Sequence, residues 1–152
     1  MGVMFKQLEL LPRSDIEMVT ASSLMGAYIG HTEKNVMEAM KRAKGGILFI
    51  DEAYGFVSGS HKGTFGQQAV QTLMENITAP EFKGNLVVIL AGYADKLDAL
   101  FDVNPGFRSR FDKKRLEFPS WTPEMATEYD LIIIVSAFLF TYYHFFPQLI
   151  IP

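Results

Sequence analysis

Apolar positions follow two periods along the chain. In residues 1–11, MGVMFKQLELL, and in residues 32–43, TEKNVMEAMKRA, they recur at helical spacing. In the second of these, Val36, Met37, Met40 and Ala43 share one face. Thr32 is a candidate cap for that helix, and Gly45–Gly46 stop it. QQAVQTLMENIT, residues 67–78, predicts a further amphipathic helix that ends near Pro80, and DKLDALF, residues 95–101, a short one. Other apolar runs have strand length. IEMVTASSLM, residues 16–25, reads as a short strand turning into a polar segment that Ser22 or Ser23 caps. ILFI (47–50) and the apolar run within NLVVILAGY (85–93) have the pattern of strands covered on both faces of a parallel sheet. KRLEF, residues 114–118, closed by Pro119, predicts an edge strand. GAYIGH (26–31) and GFVSGSHKGTFG (55–66) read as loops, and NPGFRSRF (104–111) as a turn leading into a basic segment.

Strands alternating with helices across short joints predict an α/β fold with a parallel sheet. Ligands of such sheets gather at the carboxyl ends of the strands. Asp51 and Glu52 stand at that end of one predicted strand and Tyr93 at that end of another.

Composition adjusts this picture in a few places. At 152 residues with 49% hydrophobic and 20% charged residues, the chain supports one domain with a real core. A formal net charge of −3 argues against a nucleic-acid binder. With no cysteine in the sequence, disulfides, thiolate metal sites and cysteine catalysis are excluded. His31, His61 and His144 lack any ligand spacing and read as ordinary surface or tail residues. Residues 131–152 contain no Asp, Glu, Lys or Arg. That apolar tail supports two readings. It has the length of a membrane-spanning helix, for which about 20 apolar residues suffice. It is also what a non-native extension, from a truncated gene model or a translated intron, would look like.

Three motifs carry candidate chemistry. ILFIDE has the Walker B form: an apolar strand, then an Asp suited to hold Mg²⁺ through water, then a Glu suited to polarise an attacking water. The bland alternative is a strand that ends in two solvated acids. Arg108 and Arg110 follow a Pro–Gly turn, where a guanidinium can neutralise phosphate charge; the alternative is a solvated basic turn. GAYIGH sets Tyr28 and Ile29 between glycines, either as an exposed apolar tip that grips a partner or as a loop whose tyrosine folds back on the core.

The order of these motifs resembles the CbbX/CfxQ family of AAA+ ATPases, which includes the red-type Rubisco activases and the stage V sporulation protein K-like proteins. GAYIGHTEKNVMEAMKRAKGGILFIDEAY, FGQQAVQTLMENI, NLVVILAGYADKLDALF and NPGFRSRF carry the resemblance, within roughly residues 5–128. It implies an AAA+ P-loop NTPase core, a parallel sheet with flanking helices, over residues 1–128, followed by the apolar tail at 129–152. It implies ATP and Mg²⁺ as cofactors. Asp51 resembles the Mg²⁺-associated acid, Glu52 the catalytic acid that activates water, and Arg110 the arginine finger that reaches a neighbouring subunit's nucleotide, with Arg108 as second candidate. Tyr93 occupies the sensor 1 position. Tyr28, Ile29 and Gly30 resemble the pore loop that pulls a protein substrate through a homo- or hetero-hexamer.

The sequence also departs from the family. Nothing in it fits G-x-x-x-x-G-K-[ST], the loop whose backbone N–H groups and lysine hold phosphates. GSHKGT, residues 59–64, follows the Walker B strand instead of preceding it. The expectation is therefore a core lacking its first strand and its helical lid, with unpaired backbone at a sheet edge and a tendency to aggregate. Two functions follow: ATP hydrolysis as part of a cytoplasmic protein-remodelling ATPase, or a non-hydrolysing fragment or pseudo-ATPase that acts as an interaction module. A single-pass membrane protein anchored by the tail is the alternative location.

Overall fold

The computed structural model describes residues 2–58, 65–103, 105–111, 115–118 and 131–136. In chain order the elements are α1 (Gly2–Gln7), β1 (Ile16–Thr20), α2 (Ala21–Leu24), α3 (His31–Ala43), β2 (Ile47–Asp51), a 3₁₀ turn (Ala53–Phe56), α4 (Phe65–Ile77), β3 (Val87–Tyr93), α5 (Ala94–Val103), α6 (Pro105–Phe111), β4 (Arg115–Phe118) and β5 (Leu131–Ser136).

The sheet runs β1-β2-β3-β5-β4. β1, β2 and β3 are parallel, with Ile16 opposite Ile47, Thr20 opposite Asp51 and Ile50 opposite Leu90. The predicted α/β parallel core is present in these three strands. β2 and β3 are buried on both faces, as their unbroken apolar runs require. Side chains alternate between two cores. Leu48, Ile50, Val88 and Leu90 join the large core with Val36, Met40, Leu73, Phe101, Phe107 and Phe111. Ile47, Val87 and Ile89 join a smaller one with Leu11, against which Phe5 and Phe49 pack.

The sheet is not parallel throughout. β5 lies between β3 and β4 and is antiparallel to both. Gly92 stands opposite Ile132, and Leu116 opposite Ile133. The expected unpaired edge is therefore filled on β3. The six residues that fill it are the first of the apolar tail, and the β-branched run Ile132–Val135 favours a strand there. Among the described residues no helix is long and apolar enough to cross a membrane. Residues 137–152, with His144, lie outside the described residues, as does the whole GSHKGT stretch at 59–64, with His61.

Local chemistry corrects several expected caps and turns. Thr20 caps α2, its Oγ1 accepting from the Ser23 backbone N–H at 3.2 Å, and the Ser23 Oγ accepts in turn from the Thr20 backbone N–H at 3.2 Å. Ser23 thus completes a capping box and is not itself the cap. Gly30 precedes α3 in the left-handed region at φ 83°, and the buried Thr32 hydroxyl instead accepts from Gly26 N at 2.9 Å. Thr32 therefore pins the preceding loop. Residues 105–111 of the expected turn form a helix: Pro105 opens α6, where its missing N–H costs nothing, and Phe107 and Phe111 anchor one face in the core.

Candidate functional site

The site is built at the carboxyl ends of β2 and β3. β2 delivers Asp51 as its last residue, half-buried, beside Thr20 of β1. One Asp51 oxygen, Oδ1, accepts the Glu52 backbone N–H at 2.8 Å. The next residue leaves the strand sharply. Glu52 has φ 50° and ψ 41°, a left-handed conformation that costs a non-glycine residue about 1–2 kcal/mol. Such strain clusters at functional positions. The backbone then closes into the 3₁₀ turn, with Gly55 N donating to Glu52 O at 2.7 Å. Glu52 itself is exposed.

Tyr54, inside that turn, points back at Glu52. Its phenolic O–H donates to Glu52 Oε1 at 3.1 Å. The ring stacks on Tyr93, the last residue of β3, with centroids 5.9 Å apart and planes at 30°. Lys96, on α5, holds its ammonium 4.8 Å from the centroid of each ring. The stack needs room on β3, and Gly92 provides it: a Cβ there would sit 3.0 Å from Tyr54 Cδ1. The Tyr54 hydroxyl is pushed above its ordinary pKa, first by partial burial, then by the hydrogen bond to Glu52 and by nearby negative charge on Glu52, Tyr93 and Asp51. Four residues that the sequence spreads over β2, the turn and β3 thus meet in one place.

Asp51 and Glu52 fit one half of a magnesium–nucleotide site. Among the described residues no three His, Cys, Asp or Glu side chains form a protein cage for a metal. A lone carboxylate at a strand end, one oxygen held by backbone and the other free of that bond, suits a cation carried mostly by water and phosphate oxygens.

The arginines are arranged differently. Arg110 is half-buried, and its Nη1 donates to Gly106 O at 3.0 Å, one turn back on α6. Arg108 is exposed; its Nη2 lies 2.6 Å from Asp102 Oδ1, with the guanidinium 5.9 Å from the Phe101 ring centroid. Neither distance joins an arginine to the acid pair. Tyr28 and Ile29 are 70% and 88% exposed, so Tyr28 does not fold back on the core. Its ring instead meets the His31 ring edge-on at 5.4 Å. The loop's shape is set by Gly30 and by the Gly26–Thr32 bond.

Tyr54 and Lys96 were not singled out by the sequence pattern. A tyrosine two places after Glu52 is visible in DEAY, but its stack on Tyr93 joins distant segments and has no local signature.

A family model described as "ATPase family associated with various cellular activities (AAA)" matches residues 4–119. The chain is 40% identical over 124 residues to Protein CbbX of Cereibacter sphaeroides, covering 82% of this chain and 39% of that protein. It is 40% identical over 121 residues to Protein CfxQ of Xanthobacter flavus, covering 80% and 37%. It is 36% identical over 118 residues to the chloroplastic ribulose bisphosphate carboxylase/oxygenase activase of Cyanidioschyzon merolae, covering 78% and 39%. The chain thus spans less than half the length of these curated relatives. On the extent of the family match, and on a sheet with its acid pair at the expected strand end, the chain belongs to the AAA family of ATPases as a partial CbbX/CfxQ-like member.

Proposed function

We propose that this chain supplies the hydrolytic edge of an AAA+ ATPase that remodels a protein partner. One observation carries the reading: Asp51 and Glu52 lie together at the carboxyl end of a doubly buried parallel strand, with Tyr93 of the adjacent strand beside them. In the proposed reaction Glu52 accepts the proton of a water whose oxygen attacks the γ-phosphorus of ATP. The bond from that phosphorus to the bridging oxygen breaks, and ADP departs. Asp51 is the residue to hold Mg²⁺ through water; when bound, the ion offsets phosphate charge. Arg110, with Arg108 as second candidate, faces a neighbouring subunit's nucleotide in a hexamer. The Arg110 bond to Gly106 O engages one of the guanidinium's five N–H donors. The exposed Tyr28–Ile29–Gly30 loop supports a grip on an extended protein substrate.

A second reading keeps the fold without the chemistry. The sequence contains no G-x-x-x-x-G-K-[ST], so phosphates lack their usual backbone cradle, and the chain would act as a docking module for complete relatives. One experiment separates the two. ATP binding and turnover are measured for the chain with Mg²⁺, with Mg²⁺ removed by chelation, and for Glu52→Gln. Hydrolysis is expected only with Mg²⁺, and Glu52→Gln lowers it by about 10²-fold or more, the scale of losing a general base. Binding without turnover in wild type favours the docking module.

A further inference from the structure

We propose that Tyr54 is the positioning residue of Glu52: its hydroxyl holds one carboxylate oxygen while its ring is clamped by Tyr93 and Lys96, so that the other oxygen is aimed at the attacking water. The inference deepens the ATPase reading and rests on it for its kinetic consequence.

The geometry supports each part. Glu52 is exposed, and an exposed glutamate ordinarily samples many rotamers. Here its Oε1 is engaged by the Tyr54 hydroxyl at 3.1 Å. A donor on one oxygen restricts where the carboxylate can lie and leaves Oε2 as the acceptor for a water proton. The donor is itself anchored. Tyr54 stacks on Tyr93 at the end of β3, and Lys96 lies 4.8 Å from both ring centroids, bridging the pair from α5. The left-handed backbone at Glu52 and the short 3₁₀ turn bring residue 54 back over residue 52. Residues of β3 and α5 therefore hold the Tyr54 ring, and the Tyr54 hydroxyl alone meets the carboxylate. A tyrosine that served only packing would need the ring contacts but not the hydroxyl's aim.

Tyr54→Phe tests the hydroxyl alone, because the phenyl ring keeps the stack and the cation contact. Turnover number is expected to fall about tenfold, from loss of carboxylate orientation, with KM for ATP unchanged. An unchanged turnover number in Tyr54→Phe overturns the proposal. A second readout needs no activity. With isotope-labelled tyrosine rings followed by NMR, and the Tyr54 signal identified by its loss in Tyr54→Phe, the Tyr54 titration in wild type is compared with that in Glu52→Gln. The midpoint is expected above the ordinary 10.0 in wild type and lower in Glu52→Gln. A midpoint indifferent to Glu52→Gln overturns the contact and the proposal with it. If wild type does not hydrolyse ATP, it is the ATPase reading that fails, and the NMR titration still decides whether Tyr54 holds Glu52.

Discussion

On one side of β3 the sheet is parallel, and its strands reach one another through helices packed on its faces. On the other side it is antiparallel, and the neighbouring strand comes from residues 131–136, after β4 in the chain. The first half carries Asp51, Glu52, Tyr54 and Tyr93. Strands β4 and β5 of the second carry none of the acids or tyrosines of the site, but β5 pairs the backbone of the strand on which Tyr93 sits. A buried strand has N–H and C=O groups on both edges, and each needs a partner. β2 and β1 meet that need on one side by ordinary crossovers. On the other, the crossover from β3 through α5 and α6 leads to β4, and a six-residue strand with four β-branched residues at its centre occupies the slot between the two. Burial of side chains thus stabilises the first half, whereas satisfaction of backbone groups explains the second.

That contrast predicts unequal sensitivities. Leu48, fully buried in β2, should be the costliest: Leu48→Ala is expected to lower stability by about 2–5 kcal/mol in denaturant unfolding. In the antiparallel half, Ile133→Pro removes an N–H in a strand flanked on both sides, opposite Ala91 and Leu116. The expected loss is about 1–3 kcal/mol, the penalty for a buried backbone group left unpaired, with faster hydrogen exchange at Leu90 and Gly92. If Ile133→Pro unfolds like wild type, β5 contributes nothing and the comparison collapses. Arg108→Ala should matter least. Its pair with Asp102 is exposed, at 44% and 75%, and a change within about 1 kcal/mol is expected. A larger loss would mean that α6 is held by its surface as well as by Phe107 and Phe111.

Periodicity made most of the first half legible. ILFI and VVILA are apolar at consecutive positions, which suits a strand covered on both faces, and they lie in β2 and β3. TEKNVMEAMKRA became α3 because its apolar face matches the sheet's. NPGFRSRF reads as a turn because Pro and Gly head both turns and helices, whereas residues 105–111 form α6. What decided it was burial of Phe107 and Phe111, a turn of helix apart, which is a property of the core and not of the dipeptide. The apolar tail had the same ambiguity: a long uncharged run suits a bilayer, but six of its residues also suit a vacant strand position, and hydropathy does not distinguish the two.

The sequence by itself determined the acid pair and the strand that presents it, because both lie in one contiguous pattern, whereas GAYIGH left Tyr28 either exposed or folded back on the core until the structure showed it exposed. Only the tertiary structure decided which neighbours those residues have. Tyr54 reaches Glu52 locally, but Tyr93 and Lys96 reach Tyr54 because β3 lies beside β2 and α5 leaves its end. Pairing of that kind depends on which edges are free and which faces are apolar once the chain has folded, and no single stretch of residues encodes it.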